Sequence, residues 1–105
     1  MPTKAPNPAA GTTVLGHRPA CVDLAKELNA RYLNIPDEIW LRMSDAERWA
    51  ANQRFLDRMI ARGDNIRLAT PIEEMRKNTF FAREIEYLFE KGYKASPDGC
   101  WLIKQ

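Results

Sequence analysis

The stretch SDAERWAANQRFLDRMIARGDNIRLATP, residues 44–71, decides the fold class. It opens with Ser44-Asp45-Ala46-Glu47, the spacing of a capping box. In that motif a serine oxygen accepts an orphan N–H of the first turn, and the carboxylate three residues later reaches back. A helix is therefore predicted to run to Arg62. Ala46, Trp49, Leu56, Met59 and Ile60 form its apolar stripe, with Phe55 on the flank. Gly63 suits the left-handed residue that closes a helix. Asn65 to Thr70 then reads as a strand, stopped by Pro71.

Working outward, the same alternation recurs. Thr13-Val14-Leu15 is a short β-prone run ending at Gly16. Pro19 suits the first turn of a helix that carries Cys21, Leu24, Ala25 and Leu28 and stops at Asn29. Arg31 to Ile35 alternates and is closed by Pro36, so it reads as a strand. Asp37 to Met43 is a short helical turn. Downstream, Asn78 or Thr79 starts a further helix with Phe81, Ile85, Leu88 and Phe89 facing inward, and Gly92 ends it. Tyr93–Ala95 and Cys100–Ile103 are two strands joined by Ser96-Pro97-Asp98-Gly99, a turn signature. The order β-α-β-α-β-α-β-β predicts an α/β fold: a small, mainly parallel sheet flanked by three helices, with a C-terminal β-hairpin.

The chain has 105 residues, one domain's worth. Residues 1–12, with three prolines, read as a flexible linker, and 13–105 as the folded domain. Hydrophobic residues make up 45% and charged residues 29%, a globular balance that excludes collagen-like and wholly disordered chains. No apolar run reaches the roughly 20 residues of a membrane span, and no leader segment is visible. The formal charge is +2 with the signs interspersed, which neither demands nor excludes a nucleic-acid partner. Cys21 and Cys100 read as two separate thiols, with a disulfide as the alternative. No cysteine or histidine cluster has zinc-ligand spacing, so neither a metal nor any other cofactor is expected.

In parallel α/β sheets ligands bind beyond the carboxyl ends of the strands. That rule gathers three loops: Gly16-His17-Arg18-Pro19, Asn34 to Asp37, and Thr70 to Glu73. The first joins a strand to a helix N-terminus, where free N–H groups favour an anion. His17 titrates near neutrality and Arg18 can clamp a phosphate; the plainer reading makes both ordinary loop residues. Asn52 and Gln53 fall on the apolar arc of the 45–62 helix, where a buried amide must be hydrogen-bonded. Asn52 either ties down a loop or orients a substrate. Glu84 sits at the margin of its helix's apolar stripe, as a desolvated acid–base group or as a solvated, salt-bridged flank. Arg58, Arg62 and Arg67 are surface pairs or a phosphate-binding stripe. Trp40, Trp49 and Trp101 read as core, with base stacking as the alternative.

The stretch from Thr13 to Lys104 resembles the C-terminal toxin domains of bacterial polymorphic toxins, the tips of contact-dependent growth inhibition exoproteins and Rhs-type effectors. The resemblance is carried by Val14-Leu15-Gly16-His17 and by Leu33-Asn34-Ile35-Pro36 with Trp40. Its longest part is Trp49 to Arg58. It continues through Arg62-Gly63-Asp64, Leu68-Ala69-Thr70-Pro71, Phe81, Glu84, Tyr87-Leu88, Gly92-Tyr93 and Ser96-Pro97-Asp98-Gly99. It implies a toxin exported as part of a larger effector, acting in the cytoplasm of a target bacterium. The implied partners are a cognate immunity protein and an RNA substrate, tRNA foremost. Outside the immunity complex the domain would be a monomer without membrane association. On this reading the domain is a metal-independent ribonuclease. His17, Asn52 and Glu84 supply acid–base and orienting groups, and Arg18, Asn34, Arg58 and Thr70 bind substrate. Two readings stay beside it: a nucleotide-consuming toxin, such as one hydrolysing NAD, and a non-enzymatic binding module.

Overall fold

The computed structural model describes residues 11–105; of the linker expected over residues 1–12, residues 1–10 lie outside them, and Thr12 already belongs to the first strand. The elements run β1 (Thr12–Leu15), α1 (Ala20–Leu28), α2 (Asp37–Trp40), α3 (Asp45–Arg62), β2 (Asn65–Leu68), a 3-10 turn (Ile72–Glu74), α4 (Phe80–Glu90), β3 (Tyr93–Ala95) and β4 (Trp101–Lys104). The fold is α/β with the C-terminal hairpin in place. The four-stranded sheet has the order β1-β2-β4-β3 and is mixed: β1 and β2 are parallel, while β2–β4 and β3–β4 are antiparallel.

Local chemistry explains most boundaries. Ser44 accepts from the Glu47 N–H and Glu47 accepts from the Ser44 N–H, so both halves of the capping box form. Gly63 closes α3 at φ 71°, where any side chain would be strained. Thr79 caps α4 by accepting from the Ala82 N–H at 3.2 Å. Asn29 ends α1 in the left-handed region at φ 53°.

The strand expected over residues 31–35 is reduced to one isolated bridge, Arg31 to Thr13. The alternation that suggested it has another cause. Tyr32 packs on the cluster of Val14, Cys21 and Ala25, whereas Leu33 packs on the main core. The segment thus wedges between two apolar clusters instead of extending the sheet, so β1–β2 is the one parallel pair among the described strands and Arg31 adds a single parallel bridge.

The main core packs Leu15, Ile66, Leu68 and Leu102 of the sheet against Phe55, Leu56 and Met59 of α3 and Phe81, Ile85 and Leu88 of α4. Phe89, expected inside, is 44% exposed. It follows Leu88 by one residue, so about 100° of rotation turns it off the buried stripe. The tryptophans are half-buried rather than core, and each carries an arginine on its ring: Arg48 on Trp40, Arg83 on Trp49 and Arg67 on Trp101. Cys21 and Cys100 are free thiols. A buried polar knot locks the start of β1 to the α3–β2 corner: Asp64 accepts from the Thr13 hydroxyl at 2.8 Å and pairs with Arg62 at 3.0 Å and Arg31 at 3.4 Å.

Candidate functional site

The loop 16–19 leaves the carboxyl end of β1 and is pinned from three sides. The Ala69 N–H donates to the Leu15 carbonyl at 2.8 Å, and the His17 N–H donates to Thr70 Oγ1 at 3.0 Å. His17 Nε2 accepts the Arg76 N–H at 3.1 Å. Gly16 makes this approach possible. Its φ is +155°, and a Cβ there would lie 3.0 Å from both Ala69 Cβ and the Thr70 nitrogen. Arg18 Nη2 donates to the Leu33 carbonyl, which brings the loop from Asn34 to Asp37 alongside.

Beneath this loop is a cavity of about 240 Å³. Gly16, His17 and Arg18 form one side of it. Leu33, Ile35, Asp37 and Trp40 form another. Cys21 and Asn52 complete the wall with Thr79, Phe80, Phe81 and Glu84 at the start of α4. A cavity below the ~300 Å³ of the smallest ligand clefts admits one ring or one phosphate-bearing unit rather than a whole dinucleotide.

Glu84 is the chemically distinctive group. Its spacing places it one turn after Phe81 and next to Ile85 on the buried face of α4. Only 7% of it is exposed, and its carboxyl makes no hydrogen bond or ion pair within the described residues. Burial pushes its pKa up to about 8, with the Arg18 charge pulling the other way. Glu84 is therefore a neutral acid at pH 7 that opens on a cavity. The solvated, salt-bridged alternative does not describe it. Cys21 is close to the same two charges. Burial raises its thiol pKa, Arg18 lowers it and Glu84 raises it further.

His17 has less freedom than its sequence position promised. Slight desolvation and the Arg76 charge lower its pKa. With Nε2 accepting a backbone N–H, the ring proton sits on Nδ1, and neither nitrogen can take a proton without breaking the loop contact. The ring also stands edge-on to Phe81 at 5.1 Å. The α1 N-terminus is equally occupied: Cys21 donates to the His17 carbonyl, and Val22 and Asp23 to that of Pro19. The anion site expected there has lost those donors.

Asn52 is 2% exposed, and its Nδ2 donates to the Arg48 carbonyl one turn back at 2.9 Å. Its carbonyl oxygen carries no such bond, and the residue lines the cavity. Gln53 is half-buried near the Tyr87 hydroxyl, which donates to Asp57. Thr70 spends its oxygen on the His17 N–H and does not line the cavity. Asn34 is exposed beside the lining residues Leu33 and Ile35. Arg58 is exposed on α3, away from the cavity. No arginine stripe forms, because Arg62 is tied to Asp64 and Arg67 lies on Trp101. The site thus brings together His17, Arg18, Asn52 and Glu84, leaves Asn34, Thr70 and Arg58 outside, and adds Asp37, Cys21, Trp40 and Phe80. Asp37 carried a detectable signal, an acid directly after Pro36 in a loop predicted to reach the site. Cys21 and Phe80 carried none, since apolar periodicity marks burial without saying against what.

Among the described residues, no group of three or more His, Cys, Asp or Glu side chains is placed to hold a metal ion. Among the described residues, no helix is long and apolar enough to cross a membrane. No family model, curated protein or solved structure matches the chain.

Proposed function

We propose that the chain is an antibacterial toxin domain that cleaves RNA, tRNA foremost, by acid–base chemistry in the cavity under loop 16–19. The observation that carries this is Glu84: a buried, unpaired carboxyl, protonated at neutral pH, beside the Arg18 guanidinium. RNA supplies its own nucleophile, so the protein needs a base, an acid and a phosphate clamp. The 2′-oxygen bonds to the adjacent phosphorus, and the phosphorus–O5′ bond breaks. Glu84 delivers its proton to the departing O5′, and Arg18 faces the charged phosphoryl oxygens. The proton of the 2′-hydroxyl goes to Asp37, which is exposed while Glu84 is buried. Two carboxyls in opposite environments at one cavity are the usual basis for a division into base and acid. Asn52 orients the ribose or base through its free carbonyl oxygen, and His17 positions the loop. The products are a cyclic phosphate and a 5′-hydroxyl. In the cell such a domain is delivered by a larger effector and neutralised by a cognate immunity protein.

The test is total RNA on a denaturing gel, minutes after induction of the full chain in bacterial cytoplasm, followed by purified chain acting on purified tRNA. Discrete fragments ending in cyclic phosphate are expected, and Glu84→Gln should abolish them. Intact RNA with arrested growth and falling NAD would replace this reading with nucleotide hydrolysis. Intact RNA with normal growth would leave a binding module.

A further inference from the structure

A row of aromatic rings under cations leads away from the cavity across α2, α3 and α4. Trp40 and Phe80 line the cavity and meet edge-on at 5.6 Å, and Arg48 lies 5.1 Å over Trp40. Phe80 also lines a second, shallower hollow, together with Arg83. Arg83 lies 4.3 Å over Trp49, which meets Tyr87 edge-on at 6.1 Å. Lys91 ends the row, 5.3 Å over Tyr87. On α4 the members are Phe80, Arg83, Tyr87 and, just past its end, Lys91, spaced three or four residues apart and so on one helix face. The row spans about 16 Å along that helix at 1.5 Å per residue.

The rings are half-buried; of them Tyr87 packs against the main core, while Trp40, Trp49 and Phe80 lie outside it. Arg83 and Lys91 have no carboxylate within ion-pair distance among the described residues, whereas Arg48 has Asp45 at 3.6 Å. Two exposed cations without counterions on one face leave positive charge open to an anionic partner. Glu86, in the hollow beside Arg83, and Asp45 oppose a uniformly anionic surface. A strand whose phosphates meet the cations while its bases meet the rings satisfies both. Aromatic faces interleaved with positive charge are the platform on which single-stranded nucleic acid stacks, and arginine planes extend it.

We infer that this row is the track for a single-stranded RNA segment leading into the cavity. The inference rests on the proposed RNA-cleaving function and adds how the substrate is held: through unpaired bases, so that loops and ends of folded RNA are taken and duplex is not.

The probe is a fluorescent 2′-O-methyl oligouridine, which lacks the nucleophile and stays uncut. Its anisotropy is followed with the full chain over a range of salt concentrations. Arg83→Ala and Lys91→Ala should each weaken binding several-fold and lower the salt slope by close to one phosphate contact. Tyr87→Leu should weaken it at every salt concentration without changing the slope. A blunt-ended duplex of the same length should compete poorly. Oligouridine binding that is absent, that survives the Arg83→Ala/Lys91→Ala double change, or that duplex matches would overturn the inference. Far-UV circular dichroism of each variant separates lost binding from lost folding. The gel assay reports separately on the chemistry: cleavage with a track-independent affinity sinks the track alone. Track-dependent binding without cleavage sinks the catalytic reading alone.

Discussion

Replacing Glu84 by glutamine should make the protein more stable at neutral pH, by an amount set by its buried carboxyl. The group titrates at about 8 in the fold, against 4.5 when unperturbed. The folded state therefore holds a proton that the unfolded chain releases. Where the folded pKa is raised, the associated stability is fully present below the unfolded pKa and is lost as pH rises through the folded one. Each pH unit inside that window costs about 1.4 kcal/mol. At pH 7 the loss relative to pH 4 comes to roughly 3 kcal/mol. Glutamine keeps the shape and cannot ionise, so it removes the window. Equilibrium urea unfolding of both proteins, from pH 4 to pH 8, gives the difference directly. The pair also cancels the contributions of His17 and Asp64, which titrate alike in both. Equal stability is expected at pH 4, with a gap that widens to about 3 kcal/mol in favour of glutamine by pH 7. A constant gap, or a variant less stable at pH 7, would refute the claim that Glu84 is buried without a partner.

The same carboxyl should set the alkaline limb of RNA cleavage: an acid must hold its proton, so the rate should fall above pH 8 in single-turnover assays. Asp37→Asn should lower that rate by about 100-fold or more, while His17→Gln, whose amide oxygen can still accept the Arg76 N–H, should stay within about tenfold of the parent. The reverse order would return the base to His17. Asp64→Asn should destabilise the fold by about 2 kcal/mol in urea titrations, because it removes the carboxylate from the Thr13 and Arg62 bonds. Burial pushes the Asp64 pKa up, but those bonds and the Arg62 and Arg31 charges hold it below its ordinary 3.8. The difference between parent and variant is thus present above 3.8 and should vanish as pH falls through the folded value. Gly16→Ala should cost about 1–3 kcal/mol in thermal unfolding, since φ +155° and the 3.0 Å approach to Thr70 leave no room for a methyl group.

The α3–β2 passage was legible because its signals are local. A capping box, a stop glycine and a proline act within a few residues, and each occupies its expected place. The hairpin was readable for the same reason: Gly99 N–H donates to the Ser96 carbonyl at 2.9 Å within the predicted turn. Residues 31–35 misled because alternation records burial on two sides, and a wedge between two clusters alternates as a strand does. At the site, the strand-end rule gathered His17, Arg18 and Asp37, which line the cavity, together with Thr70 to Glu73, which do not. Which groups were free to react did not follow. His17 and Thr70 are consumed by contacts to residues 76 and 17, and such pairings depend on backbone paths with no sequence signature. Glu84 shows the converse: its spacing placed it near the apolar stripe, but only the packed structure removed its partners.

The strand order has a consequence for how the domain comes into being. β4 is the last of the described elements, yet it lies inside the sheet, between β2 and β3. Ile66 of β2 meets Leu102 across that junction, so the two halves of the sheet are joined only when residues 101–104 are present. A chain emerging from the ribosome can form α3 early, because helices close local loops. It cannot close the sheet that anchors the cavity, because that pairing waits on distant sequence. Until Trp101 to Lys104 are in hand, β2 and β3 present unpaired edges and the core lacks Leu102. The sheet, and with it the core around Leu102, is thus complete only once residues 101–104 have joined it.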